Sequence, residues 1–272
     1  MDRRPIGVFD SGIGGITAVK KITEMLPFED IIYLGDTLRA PYGVRPVEEI
    51  IQFATEEAAF LAKFDIKAMV IACNTICVTS HEILQKLHDV PIYEVIGPAA
   101  SAAVRSTKNR KIGLIATSAT IRSGAYEAAV KKLLPETEVF SAACPRLVPL
   151  VESGRCSAED AEVFAVVEEY LAPLRDAKVD TLILGCTHFP LLSDVISQIM
   201  GPAVTLINSG AEVIDRLSED LQKNDAENPG SNREGTVKYC VTGDVETFAA
   251  TASQFLGCDV GELVEQVNLE SI

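Results

Sequence analysis

Two segments of the chain carry a cysteine at the end of an apolar run, followed by small polar residues: Ile71-Ala72-Cys73-Asn74-Thr75 and Leu184-Gly185-Cys186-Thr187-His188. A thiolate is nucleophile and base near neutral pH, and the ends of strands are where open parallel sheets hold ligands. Two matched thiols point to chemistry on one substrate that a lone cysteine cannot do. The plain structural alternative is a pair of core thiols on central strands. Against it, Asn74, Thr75, Thr187 and His188 bring amide, hydroxyl and imidazole groups to places where uncompensated polar burial is costly. A Cys-His-Asp arrangement for hydrolysis or acyl transfer is a third reading, and it leaves the second cysteine without a task.

Two other constellations compete for attention. Gly12, Gly14 and Gly15 follow the first apolar run, and Asp36 lies 24 residues beyond Gly12, where a dinucleotide site would place its ribose acid. The fingerprint breaks at Thr17, the place of its third glycine. What survives is a glycine-rich turn whose backbone amides near Ser11 can approach a ligand. Cys73, Cys77 and His81 recur at the helical spacing that would align metal ligands. Cys73 is expected at a strand end rather than inside that helix, so no metal site is expected, and Cys77, His81 and His88 read as structural or surface residues.

The elements that must position these residues alternate along the chain. Short apolar runs at 5–9, 31–34, 69–72, 92–95, 112–116, 139–142, 182–184 and 204–207 are separated by helix-length amphipathic segments. This is βαβα patterning, which predicts an α/β fold with mostly parallel sheets flanked by helices. Pro46 is placed to open a helix carrying Ile50, Ile51, Phe53, Ala54, Ala58, Phe60 and Leu61, and Ser157 to cap another running to Leu174. The order of runs repeats: from residue 6 to residue 112 the offset is 106, and from Cys73 to Cys186 it is 113. Two similar α/β domains are therefore expected, each giving one strand-end thiol to a shared cleft. The first spans 1–97 and 210–272, with the strand-like 237–242 and the helical 244–256 returning to it after a polar loop over 223–235; the second spans 98–209.

Composition bounds the function. A hydrophobic content of 47% over 272 residues suffices for packed cores, and the first apolar run stops at Asp10, too short for a signal segment or a membrane span. A soluble cytoplasmic chain is expected. Seven cysteines, an odd number, favour reduced thiols, with Cys144, Cys156, Cys240 and Cys258 as small buried hydrophobes. A net charge of −15 argues against a nucleic-acid groove and leaves room for a small anionic substrate held by local amides.

Asp10-Ser11-Gly12, Leu34-Gly35-Asp36-Thr37, Ala40-Pro41-Tyr42-Gly43, Ala72-Cys73-Asn74-Thr75 and Gly185-Cys186-Thr187-His188-Phe189-Pro190 together resemble the cofactor-independent glutamate racemases of the aspartate/glutamate racemase family. Ala116-Thr117 with Thr120, and Pro149-Leu150-Val151-Glu152, extend the resemblance over essentially the whole chain. Ile76-Cys77 and Leu38 depart from it, where smaller residues and Ala are usual. The resemblance implies interconversion of L- and D-glutamate by two bases without a cofactor, in bacteria for peptidoglycan. Cys73 and Cys186 would be the bases, Asp10 would assist Cys73, and His188 with Glu152 would assist Cys186. Ser11, Asn74, Thr75 and Thr187 would hold the amino and carboxylate groups, with Thr117 and Thr120 as secondary contacts. Tyr42 and Gly43 would close the side-chain end of the pocket. Homodimers recur in the family. The readings to be separated from this one are a racemase of another acidic amino acid such as aspartate, a non-catalytic amino-acid binder and a cysteine hydrolase.

Overall fold

The computed structural model describes residues 1–230 and 233–269. Ser231 and Asn232 of the expected polar loop, and residues 270–272, lie outside the described residues. The chain divides into two compact units, one of residues 1–95 with the described residues from 213 on, the other Ile96–Glu212.

In the first unit the strands are β1 (Ile6–Asp10), β2 (Ile31–Gly35), β3 (Ala68–Ile71) and β4 (Ile92–Glu94). In the second they are β5 (Lys111–Ala116), β6 (Glu138–Ala143), β7 (Thr181–Gly185) and β8 (Thr205–Asn208). Two more, β9 (Val237–Val241) and β10 (Val264–Gln266), follow in the first unit. Every pairing among them is parallel. Parallel neighbours cannot be joined by hairpins, so each connection is a crossover of a dozen or more residues, and the amphipathic segments between the apolar runs supply the helices.

The sheet orders are β10-β9-β2-β1-β3-β4 and β6-β5-β7-β8. The second repeats the β2-β1-β3-β4 order of the first, strand for strand. The central strands β1, β2, β3 and β7 are buried along their length, as covered parallel strands must be, while β4, β6 and β10 at the edges are partly exposed. Gly7 in β1 and Gly113 in β5 occupy the same place in their sheets. A Cβ on Gly7 would come within 2.9 Å of Ile66, and one on Gly113 within 2.8 Å of Leu174, so each glycine lets the covering layer press onto the middle strand.

Register brings the polar residues to one edge of each sheet. Asp10 lies opposite Gly35, Phe9 opposite Ile71, and Gly35 opposite Val241. Asp10, Asp36, Cys73 and Thr242 therefore emerge together where β1, β2, β3 and β9 end. In the second unit Ala116 faces both Ala143 and Gly185, so Thr117, Cys144 and Cys186 emerge together.

Some local expectations need correction. The helix of Ala161–Asp176 is capped by Asp160, whose carboxylate accepts from the amides of Glu162 (3.1 Å) and Val163 (3.3 Å), not by Ser157. Ser157 instead opens the preceding turn, its carbonyl accepting from Asp160 at 3.2 Å. Cys258 is exposed and Cys156 half-buried, because both lie in loops after or between helices rather than on covered strands; Cys144 and Cys240 are buried.

Candidate active site

On the first unit the strand-end thiol sits at a helix start. Cys73 is the N-cap of the helix Asn74–Leu87, at the positive end of a 14-residue helix, a place that favours negative charge. Its thiol is 3.3 Å from Ser11 Oγ, and Asn74 and Thr75 in the first helical turn are buried beside it. Asp10, wholly buried at the end of β1, is held by the glycine turn: its Oδ2 accepts from the amides of Gly12 at 3.2 Å and Gly15 at 3.1 Å. These amides fix a carboxylate of the chain itself, which refines the expectation that they approach a ligand. Gly15 is required by close approach, since a Cβ there would lie 2.6 Å from that of Asp10. Tyr33 closes the turn by donating to the Gly12 carbonyl at 2.7 Å. Burial, with the carboxylate of Asp10 nearby, keeps this phenol well above its usual range and hence neutral.

Asp36, weighed above as a ribose acid, belongs to a different arrangement. Its Oδ1 accepts from Thr242 Oγ1 at 2.7 Å, and its Oδ2 from Arg39 Nε at 2.5 Å and from the hydroxyl of Tyr42. The same hydroxyl lies 2.8 Å from Glu57 Oε1. Tyr42 and Gly43 thus stand in a short turn, Tyr42–Val44, tied through one phenol to two buried carboxyl groups. Sequence reasoning missed Glu57, Arg39 and Thr242. The available signal was Glu57 itself, a charged residue on the apolar face formed by Ile50, Ala54, Ala58 and Leu61.

On the second unit Cys186 follows β7 as Cys73 follows β3. Its Sγ lies 3.8 Å from His188 Nδ1, and His188 Nε2 lies 3.1 Å from Glu152 Oε1. With the Nε2 hydrogen directed at the carboxylate, Nδ1 is left as an acceptor facing the thiol, the orientation needed to take its proton. Thr187 Oγ1, 3.4 Å from the same Nδ1, shares that nitrogen. Thr117 accepts from the amide of Thr120 at 3.3 Å as cap of the helix Ser118–Ser123 and donates to the Thr120 hydroxyl at 3.0 Å, so these two residues serve the local fold first. Burial raises the Cys144 thiol, and the neighbouring Cys186 raises it further, so Cys144 is a neutral filler beside Cys186. Burial likewise raises Cys77 well above its usual range. Among the described residues no group of three His, Cys, Asp or Glu side chains could hold a metal ion, and no helix is long and apolar enough to cross a membrane.

Residues 6–217 match the family model of Asp/Glu/hydantoin racemases. The glutamate racemase of Streptococcus gordonii is 45% identical over 271 residues, covering 99% of this chain and all of that protein. Among solved structures, glutamate racemase isoform RacE1 of Bacillus anthracis superposes with a TM-score of 0.93 at 41% identity over 99% of each chain. The Francisella tularensis glutamate racemase, in complex with D-glutamate, gives 0.91 at 37% identity over the full length of both.

Proposed function

The chain belongs to the Asp/Glu/hydantoin racemase family, and we propose that Cys73 and Cys186 are the two bases with which it interconverts L- and D-glutamate. One observation carries this assignment: in two sheets that share a four-strand order, a buried cysteine follows the equivalent strand, Cys73 against the Ser11 hydroxyl and Cys186 against the His188 imidazole. A racemase must remove a proton from one face of the α-carbon and return one to the other. In one direction a thiolate takes the α-hydrogen as a proton, leaving the electron pair on carbon, and the opposite thiol gives its own proton to that carbon. The product leaves the two sulfurs with their protonation states exchanged, ready for the reverse direction.

The difficulty is acidity. An ordinary thiol has a pKa of about 8.5, and an α-proton is far less acidic. The N-terminus of the helix Asn74–Leu87 favours the Cys73 thiolate, and Asp10 stands ready as its proton partner. The Glu152–His188 pair does the corresponding work for Cys186. Ser11, Asn74, Thr75 and Thr187 supply the polar groups for the amino and carboxylate ends of glutamate, with Thr117 and Thr120 behind them. Tyr42 and Gly43 bound its side-chain end. Preorganised donors of this kind stabilise the developing carbanion without rearranging at the moment of reaction. The reading extends to supply of D-glutamate for peptidoglycan and to the homodimeric state common in the family.

The test is incubation of purified protein with L-glutamate in deuterium oxide, with no cofactor added. Optical rotation should decay to zero while deuterium enters the α-position. Binding of glutamate without exchange at the α-carbon would reduce the protein to an amino-acid binder, and a covalent acyl adduct detected by mass would redirect the reading to a hydrolase.

A further inference from the structure

The Tyr42 hydroxyl carries one hydrogen but stands within hydrogen-bond reach of two carboxyl oxygens, Asp36 Oδ2 and Glu57 Oε1. An ionised carboxylate only accepts, so with both acids charged one of the two contacts would have no hydrogen in it. A second proton must therefore reside on one of the acids. Asp36 is the wrong host. It already accepts from Tyr42, from the Arg39 guanidinium and from Thr242, whose own oxygen is occupied by the Leu38 amide at 3.0 Å and whose hydrogen is thus free to be donated. Among the described residues Glu57 has only the Tyr42 hydrogen bond. Its Oε2 is buried with no partner among the described residues, and the side chain is wholly enclosed. A charge left in that position would be expensive, whereas a neutral acid leaves only a carbonyl oxygen unpaired.

We infer that Glu57 is held as a neutral carboxylic acid, donating to Tyr42, which in turn donates to Asp36, and that this chain makes Glu57 a positioning residue for the Tyr42–Val44 turn. The positioning role rests on the assignment of Tyr42 and Gly43 to the substrate's side-chain end. The protonation does not. Burial is the first force keeping the proton on Glu57, followed by the negative field of Asp36; Asp10 adds to it, and Tyr42 and Arg39 oppose it. Tyr33 on β2, kept well above its usual range by burial first and by Asp10 next, stays neutral. Glu56, the neighbour on the Val47–Ala62 helix, is turned to Arg39 instead and pairs with its Nη1.

Two arms test the inference. The first reads protonation without substrate. A native state that keeps a proton which the unfolded chain releases above about pH 4.3 loses stability as pH rises from there through the folded pKa. Glu57→Gln removes that loss while keeping a donor toward Tyr42. The difference in Tm, variant minus unsubstituted, should therefore grow in favour of Glu57→Gln by about 3 °C per pH unit between pH 5 and 8. Infrared spectra at neutral pH should show a buried carboxylic-acid carbonyl band that Glu57→Gln lacks. A constant Tm difference with no such band would mean an ionised Glu57 and overturn the inference. The second arm reads position. Glu57→Ala should raise the KM for glutamate roughly 10-fold with kcat little changed, and Glu57→Gln should restore it. Unaltered KM in Glu57→Ala would overturn the positioning role even if the proton is found. Absence of racemisation in the unsubstituted protein would strike the functional reading alone, since the first arm is independent of it.

Discussion

At the scale of single residues, the two sulfurs were visible because their neighbours are unusual: small polar groups directly after apolar strand runs. Each thiol is assigned one face of the α-carbon, so Cys73→Ala and Cys186→Ala should each lower racemisation at least about 100-fold while circular dichroism shows an intact fold. Full turnover by either variant would sink the two-base scheme. The proposed helpers differ in kind, Asp10 being a carboxylate held by two amides and His188 an imidazole bonded to Glu152. Asp10→Asn and His188→Asn should both slow the reaction, and should skew the α-deuterium isotope effects for L- and D-glutamate in opposite senses. Matching isotope patterns in the two variants would dissolve the assignment of one helper to each sulfur. What single residues could not announce was the Asp36 arrangement. Thr242 lies 206 positions from the carboxylate it serves, and nothing local marks it as a partner.

At the scale of elements, periodicity located the strands and most helices, and errors fell at their ends. Asp160 replaces Ser157 as a cap because Arg155 holds it at 2.8 and 2.7 Å while its Oδ1 also meets two helix amides. The return of the chain to the first sheet is fastened in a similar way. Asp30, just before β2, accepts from Nη1 and Nη2 of Arg233 at 3.0 Å and from the amide and hydroxyl of Thr236 at 2.8 and 2.7 Å, immediately before β9 begins. Arg233 above all, with Thr236, lowers the Asp30 carboxyl to about 2 against the cost of its partial burial. A depressed folded pKa gives stability that is present above the unfolded value of about 3.9 and is lost as pH falls through the folded one. Asp30→Asn should therefore melt a little below the unsubstituted protein at pH 6. That gap should close as the pH is taken from about 4 toward 2. Solvent screening holds the contribution to about 1 kcal/mol or less, and added salt should shrink it further. A gap that persists unchanged at pH 2 would show that the asparagine costs packing rather than charge.

At the scale of the whole molecule, the two sheets share a four-strand order and in each a cysteine follows the same strand, and the proposed two-thiol scheme calls on no bound cofactor. Dialysis against a chelator, with no pyridoxal or nicotinamide compound added, should leave turnover unchanged, and recovery only on adding zinc would count against the thiol scheme. The L to D equilibrium should stay at unity in every variant, since a catalyst alters both directions alike. The sequence by itself determined the α/β class, the repeated strand order's first hint in the offsets 106 and 113, and the family, because these reside in local periodicity and in short motifs read along the chain. Only the tertiary structure decided that Gly12 and Gly15 hold Asp10, that β9 lies beside β2, and that Glu57, Tyr42, Asp36 and Thr242 form one buried chain of hydrogen bonds. Those facts depend on register between strands distant in sequence and on the removal of water around facing acids. A carboxyl group's protonation follows from its surroundings, and those surroundings exist only once the sheet has closed over them.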